Sequence, residues 1–378
     1  MQVLIADDDA VTRRIVGMLL TKGGHQVLEA KDGLTAWQLF EAHNPDVIIA
    51  DWEMPGMKGL ELVHRVRTHD GDDDYTYFIL LTSHDDRAAI TASSAAGVDD
   101  HLTKPLDPLQ LGRRLAVATR LLSLQKRLAA VNHRMRDDLM AAQRAQMVLI
   151  PPPLAGLPGL TCAWRLQACD ELAGDLVGAL RLDDHRVAFY VVDVSGHGVA
   201  AALLAVQVAR YLAPSPTATH ALTSMEPLQV ARTLNDLFQH QGPLQFLTLA
   251  YGILDLRDGA LRMAMSAHPS PILLRKDGRI EGTEVASQPL GMFPSTKLHV
   301  STWETVLDPG DRLLLFSDGM TEAMGPAGEY GRDRLAAALA NQSTGTCETQ
   351  LESLLSTLRV WTGGPFQDDV SLLLLQRS

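Results

Sequence analysis

Short apolar runs alternate with amphipathic stretches along residues 1–120: VLIA at 3–6, VIIA at 47–50 and FILL at 78–81, followed by a weaker run at 101–103. That rhythm predicts strands alternating with helices in a parallel α/β sheet. Each run ends in polar residues, which are in turn Asp7-Asp8-Asp9, Asp51, Thr82-Ser83 and Lys104-Pro105. Ligands bind beyond the carboxyl ends of open parallel strands, so these side chains are expected to converge on one site.

The pattern changes after residue 108. Between about 109 and 150 no glycine follows Gly112 and no proline precedes Pro151, while Leu121, Leu124, Leu128, Val131 and Met135 recur at steps of three and four. This spacing describes the apolar seam of a coiled coil. Continuing through Leu139, Ala142, Gln146 and Leu149 needs successive steps of four, a stutter that locally unwinds the supercoil. A helical linker over 121–150 is therefore expected, either dimerising through the seam or packing on its own chain. Pro151-Pro152-Pro153 should end it. From 154 onward, strands are predicted at 187–194, 246–255, 261–267, 313–319 and 370–376, with helices at Val199–Leu212, 228–239 and Arg332–Ala340. Strand runs with separate helices indicate an α+β layered domain.

Composition narrows the function classes. The 378 residues carry a formal charge of −12, divided as −7 over 1–120, +3 over 121–150 and −8 over 151–378. Neither large segment offers the basic patch that displaces counterions from nucleic acid, so no nucleic-acid partner is expected. No apolar run approaches the ~20 residues of a membrane-spanning helix, and the first apolar stretch stops at carboxylates instead of a small-residue cleavage site. With only Cys162, Cys169 and Cys347 and no metal-ligand spacing among them, a cytoplasmic protein without disulfides and without a membrane association is expected.

Asp7, Asp8 and Asp51 at neighbouring strand ends would repel one another without a cation, and hard oxygen ligands suit Mg²⁺. Lys104 and Thr82 supply the positive charge and hydroxyl needed to hold phosphoryl oxygens on Asp51. For Asp7-Asp8-Asp9 alone, helix capping is the plainer reading. The ordered set ADDD, DWEMPGMKG, LLTS and TKP over 1–120 resembles the receiver domain of two-component response regulators. The resemblance implies a flavodoxin-like, doubly wound five-stranded sheet. It further implies Asp51 as phosphoacceptor, Mg²⁺ on Asp7, Asp8, Asp51 and the Glu53 carbonyl, and phosphoryl sensing by Thr82 and Lys104. His101 stands where many receivers place a switching aromatic. A cis bond before Pro105 and a cognate histidine kinase or phosphotransfer protein are also implied.

Acids end apolar runs or enter turns again in the C-terminal segment, at Asp193-Val194-Ser195-Gly196-His197-Gly198, Ser317-Asp318-Gly319 and Gln367-Asp368-Asp369, with Asp175 in Ala173-Gly174-Asp175. Glycines admit close backbone approach, and such carboxylates can neutralise divalent metals. A cysteine phosphatase would need Arg six residues after its Cys, but those positions hold Ala168, Asp175 and Ser353. Together ELAGD, DVSGHG, AHPSP, PLGMF, DPGDRLLLFSDGMTEA and DDVSLLLL resemble the SpoIIE and RsbU branch of the metal-dependent, type 2C-like (PPM) serine/threonine phosphatases. The resemblance covers about 147–378 and implies an α+β layered β-sandwich. Two Mn²⁺ or Mg²⁺ would be held by Asp193, the Val194 carbonyl, Asp318 and Asp368, with Asp175 acting through water and Asp369 as a further candidate. Ala173 and Gly178 depart from the family pattern, which places a glycine and another acid there. His268 in AHPSP is read as bracing a turn.

The expected protein is a response regulator of three parts, 1–120, 121–150 and 151–378. Phosphorylation at Asp51 controls a phosphatase that acts on a phosphorylated anti-sigma-factor antagonist. The alternative is a phosphorylation-gated adaptor whose phosphatase fold binds a partner without hydrolysis. The sequence leaves the sign of control, the kinase and the particular substrate open.

Overall fold

In the computed structural model the described residues are 1–69, 75–83, 96–148, 154, 157–196, 198–212, 226–239, 245–283, 286–342 and 345–378. Pro151-Pro152-Pro153, Leu149 and His197 lie outside them. The chain divides into two compact units, Met1–Met135 and Arg136–Ser378.

The first unit holds β1 (Gln2–Ala6), β2 (Gln26–Ala30), β3 (Val47–Asp51), β4 (Tyr77–Thr82) and β5 (Asp100–Thr103), all parallel in the order β2-β1-β3-β4-β5. The central strands are buried on both faces, which explains why they read as unbroken apolar runs. One face packs on helices Gly33–His43 and Gly59–His69, the other on helix Ala10–Lys22 and the start of a helix spanning Pro108–Met147. Leu111, Leu115, Ala118 and Leu122 of that long helix are buried, and Lys126 Nζ lies 2.7 Å from Asp46 Oδ1. Beyond them the apolar positions face solvent, with Leu124, Leu128, Val131 and Met135 between 56% and 62% exposed.

The second unit stacks two antiparallel sheets. One contains β7 (Leu176–Arg181), β8 (Arg186–Val194), β9 (Leu247–Asp255), β10 (Ala260–Ser266) and β13 (Ser301–Val306), in the order β13-β10-β9-β8-β7. The other contains β6 (Leu160–Gln167), β11 (Ile272–Leu274), β12 (Ile280–Glu281), β14 (Arg312–Phe316) and β17 (Val370–Arg377), in the order β12-β11-β14-β17-β6. A small ribbon pairs β15 (Met324–Gly325) with β16 (Gly328–Glu329). Alternation along β8 sends Val187, Phe189 and Val191 into the core between the sheets and Ala188, Tyr190 and Val192 toward helices Val199–Leu212 and Pro227–Phe238. β17 does the same on the other side, with Leu373 and Leu375 inward and Leu372 and Leu374 against helices Arg332–Ala340 and Cys347–Thr362. The result is a sandwich covered by helices on both outer faces. No helix among the described residues is long and apolar enough to cross a membrane.

Candidate functional sites

β1 and β3 are neighbours in register, Ala6 opposite Ala50, so Asp7 and Asp51 leave the sheet side by side. Ligand oxygens of Asp7, Asp8 and Asp51 lie within 4.8 Å of one another, and this is the one such group of three among the described residues. Asp9 is spent differently. It caps helix Ala10–Lys22, accepting from the Val11 and Thr12 amides. Lys104 Nζ lies 2.7 Å from both Asp7 Oδ2 and Asp51 Oδ2. Burial raises the Asp51 carboxyl above its ordinary value, although the bond from Lys104 opposes the shift. Burial works against the Lys104 charge, but its bonds to Asp51 and Asp7 outweigh this and raise it.

The remaining receiver candidates surround that cluster. Thr82, buried, ends β4, and its carbonyl accepts from the Lys104 amide at 2.8 Å. His101 lies on β5 opposite Leu80, and burial lowers its pKa. The Lys104–Pro105 bond is cis. Glu53 follows β3 with an exposed side chain paired to Lys58 at 3.0 Å. An all-oxygen set beside a single lysine suits a hard divalent cation, so the residues fit Mg²⁺.

The second site is built where β8, β14 and β17 end or begin. Asp193 is the penultimate residue of β8 and stands opposite Thr248, with Val194 buried after it. Asp318 opens a single helical turn after β14, and Asp368 and Asp369 precede β17. Burial, then the nearby Asp318, Asp368 and Asp369, push the Asp193 carboxyl up to about 7. Asp175 is 2% exposed, and burial followed by the Asp193 charge raises it well above the usual carboxylate range. Asp318 is also raised, by burial. Burial is the leading cause of each shift, and neighbouring acids add to it at Asp175 and Asp193. The donor set fits hard divalent metals.

Asp369 has a different task from its neighbour. Its carboxylate accepts from the backbone amides of Cys169 at 2.8 Å, Gly174 at 2.6 Å and Asp175 at 3.4 Å, so it holds the loop that carries Asp175. The Ser371 hydroxyl donates to Asp175 Oδ2 at 2.6 Å, and Ser317 braces Ser371 by accepting from its amide at 2.9 Å. A Cβ on Gly319 would come within 2.1 Å of the Asp369 carbonyl oxygen, so only glycine allows the two acidic turns to meet. His268 is buried, its Nδ1 2.6 Å from Thr248 Oγ1, and burial pushes its pKa down to about 3. A neutral His268 therefore braces the strand end opposite Asp193.

Sequence reasoning found the acids and missed their supports. Ser317 and Ser371 stand inside the quoted motifs without an assigned role and Thr248 stands outside them, because hydroxyl residues in strands are common and only packing shows where they point. Gln146, expected on the seam, is buried, donating from Nε2 to the Ala173 carbonyl at 2.6 Å and accepting the Ala173 amide through Oε1 at 3.3 Å. At that point the helix packs on its own chain.

The stage II sporulation protein E (SpoIIE) family matches residues 183–378, and the response regulator receiver domain family matches 3–116. A chemotaxis protein CheY homologue of Campylobacter jejuni is 40% identical over 118 residues, 30% of this chain and 89% of that protein. The Regulator of RpoS of Escherichia coli is 29% identical over 213 residues, 54% of this chain and 62% of that protein. Among solved structures, the SiaA-PP2C domain of Pseudomonas aeruginosa superposes with a TM-score of 0.58 at 21% identity, covering 66% of this chain and all of that one. The PP2C phosphatase domain with a regulatory fragment of SpoIIE from Bacillus subtilis gives 0.51 at 18% identity, covering 57% and 63%. At these identities the structural likeness speaks for the fold.

Proposed function

Because the chain belongs to the SpoIIE family and joins a response regulator receiver domain to a PP2C-type phosphatase domain, we propose that it is a phosphorylation-controlled, metal-dependent protein serine/threonine phosphatase. Asp51 accepts phosphate from a histidine kinase or phosphotransfer protein. Asp7, Asp8 and the Glu53 carbonyl complete a Mg²⁺ site with it, while Thr82, Lys104 and His101 respond to the phosphoryl group. In the C-terminal domain Asp193, the Val194 carbonyl, Asp318 and Asp368 hold two Mn²⁺ or Mg²⁺, and Asp175 completes the site. When bound, such ions acidify water and clamp phosphate oxygens. The chain's own part is to fix the acids: Asp369 anchors the Asp175 loop and Ser371 orients the Asp175 carboxyl.

The observation that carries the reading is the buried crowding of acids around Asp193, whose carboxyl is pushed up to about 7 by burial and then by Asp318, Asp368 and Asp369. The substrate proposed is phosphoserine or phosphothreonine on an anti-sigma-factor antagonist. The working division is 1–120, 121–150 and 151–378, with the exposed stripe from Leu121 to Met135 joining two copies of the chain. Gln146, at the end of the long helix, grips the residue two before Asp175 and supports control through that helix.

Phosphate release from a phosphoserine protein with Mn²⁺ tests the reading. The expected result is turnover that Asp193→Ala or Asp318→Ala lowers by at least about 1,000-fold, the scale on which metal-site catalysis operates. Full activity in either variant contradicts the assignment. Absence of divalent binding at the C-terminal domain by calorimetry would leave the non-hydrolysing adaptor instead.

A further inference from the structure

A cleft of about 840 Å³ opens beside Asp318, lined by His268, Ser270, Thr283, Glu322 and Arg332 among others. Its walls are tied together. The Ser270 hydroxyl donates to the Thr283 carbonyl and accepts the Thr283 amide at 3.3 Å. With His268 neutral, Arg332 is the one cation among the described lining residues.

Arg332 is held but scarcely used. Its Nη2 donates to the Pro271 carbonyl at 3.0 Å, and among the described residues it forms no ion pair. Nε is buried without a hydrogen-bond partner. A guanidinium has five N–H donors, and a buried donor without an acceptor is costly. The wall is shaped around this group, since a Cβ on Gly282 would sit 2.6 Å from Nη2. Among the described residues Glu322 and Asp318 line the same cleft, and neither is paired with it.

We infer that this cleft is a substrate subsite in which Arg332 binds an anionic oxygen of the phosphoprotein. The inference rests on the phosphatase reading and adds a substrate preference to it. The oxygen has two possible sources, a carboxylate flanking the phosphorylated residue or the phosphoryl group itself. Guanidinium binds both through charge-assisted hydrogen bonds.

The test compares the full chain with Arg332→Ala, Arg332→Lys and Gly282→Ala, all with Mn²⁺. The substrates are p-nitrophenyl phosphate, a phosphoserine peptide with glutamates beside the phosphoserine, and the same peptide with glutamines. Loss of one charged hydrogen-bonding partner should raise KM for the glutamate peptide about tenfold in Arg332→Ala, with Lys restoring part of it. Gly282→Ala, which displaces the guanidinium, should act in the same direction. Unchanged KM for the other two substrates assigns the contact to a flanking carboxylate. An equal rise for all three assigns it to the phosphate. A glutamate peptide carrying a non-hydrolysable phosphonate, followed by fluorescence anisotropy, should rank the variants in the same order. Because this binding readout needs no turnover, a wild-type chain that hydrolyses nothing would defeat the phosphatase reading separately. Wild-type constants for Arg332→Ala and Gly282→Ala on every substrate and on the phosphonate would overturn the subsite.

Discussion

Asp193 shows how a residue can be costly for the fold and valuable for the site. Its carboxyl, raised to about 7 by burial and by three neighbouring acids, binds a proton in the folded chain that it has already released in the unfolded one. In the metal-free protein its contribution to stability therefore falls as pH rises from about 4 to about 7. His268, held neutral with its pKa near 3, acts oppositely, since its contribution is lost as pH falls below the ordinary histidine value. The two effects overlap, so a variant comparison isolates the acid. Asp193→Asn should raise the metal-free melting temperature more at pH 8 than at pH 5, and thermal scans at both values check it. An equal shift would mean that the carboxyl titrates normally. Ser371→Ala removes the hydroxyl on Asp175, and outer partners of this kind typically change metal affinity or activity about 10- to 100-fold, a loss that Mn²⁺ titration should record with Ser371→Thr retaining more. The acids were legible because each ends an apolar run. Asp369 was legible as an acid but not as an anchor, because its task depends on amides 194 to 200 residues away in sequence.

At the scale of elements, the strands easiest to read were those buried on both faces, such as β8 and β17. β2 lies at a sheet edge with its first four residues partly exposed, so its apolar signal is weak. β6 and β7 are faint for related reasons: β6 is a sheet edge with five of its eight residues at least partly exposed, and β7, also at an edge, carries Gly178 inside its apolar run. The helix at Cys347–Thr362 is written instead in its boundaries, a Thr346 cap whose hydroxyl oxygen accepts from the Thr349 amide and a left-handed Gly363. The long helix is two elements in one. Its stripe at Leu124 and Leu128 is exposed, and the proposed pairing with a second copy would cover it. Replacing both with Asp should convert a dimer to a monomer by light scattering, and an unchanged mass would count against the seam. Further along, Gln146→Ala removes both bonds to Ala173. The expected result is a loss of about tenfold in turnover, with a melting temperature within a few degrees of wild type, given the worth of two hydrogen bonds. Undiminished turnover would remove the helix from the control route.

For the whole molecule, the charge division matters more than the total. Two acidic domains flank a basic segment, as the sequence showed, and each domain gathers acids at the ends of its strands. Both folds were legible from the order of their motifs. The contacts of Gln146 and Asp369 with the loop before Asp175 were not, because they join distant backbone to single polar side chains. Control by Asp51 requires that the phosphorylated and unphosphorylated receivers bias two states of the connecting helix differently, and an equal preference would shift nothing. The most direct measurement is phosphate release by the full chain with Mn²⁺, with and without beryllofluoride, on wild type and on Asp51→Asn. The account predicts that beryllofluoride changes wild-type turnover by about fivefold or more, the lower end of typical coupling between sites, and leaves Asp51→Asn unaffected. Identical wild-type turnover under both conditions, from a receiver shown to bind beryllofluoride, would contradict it.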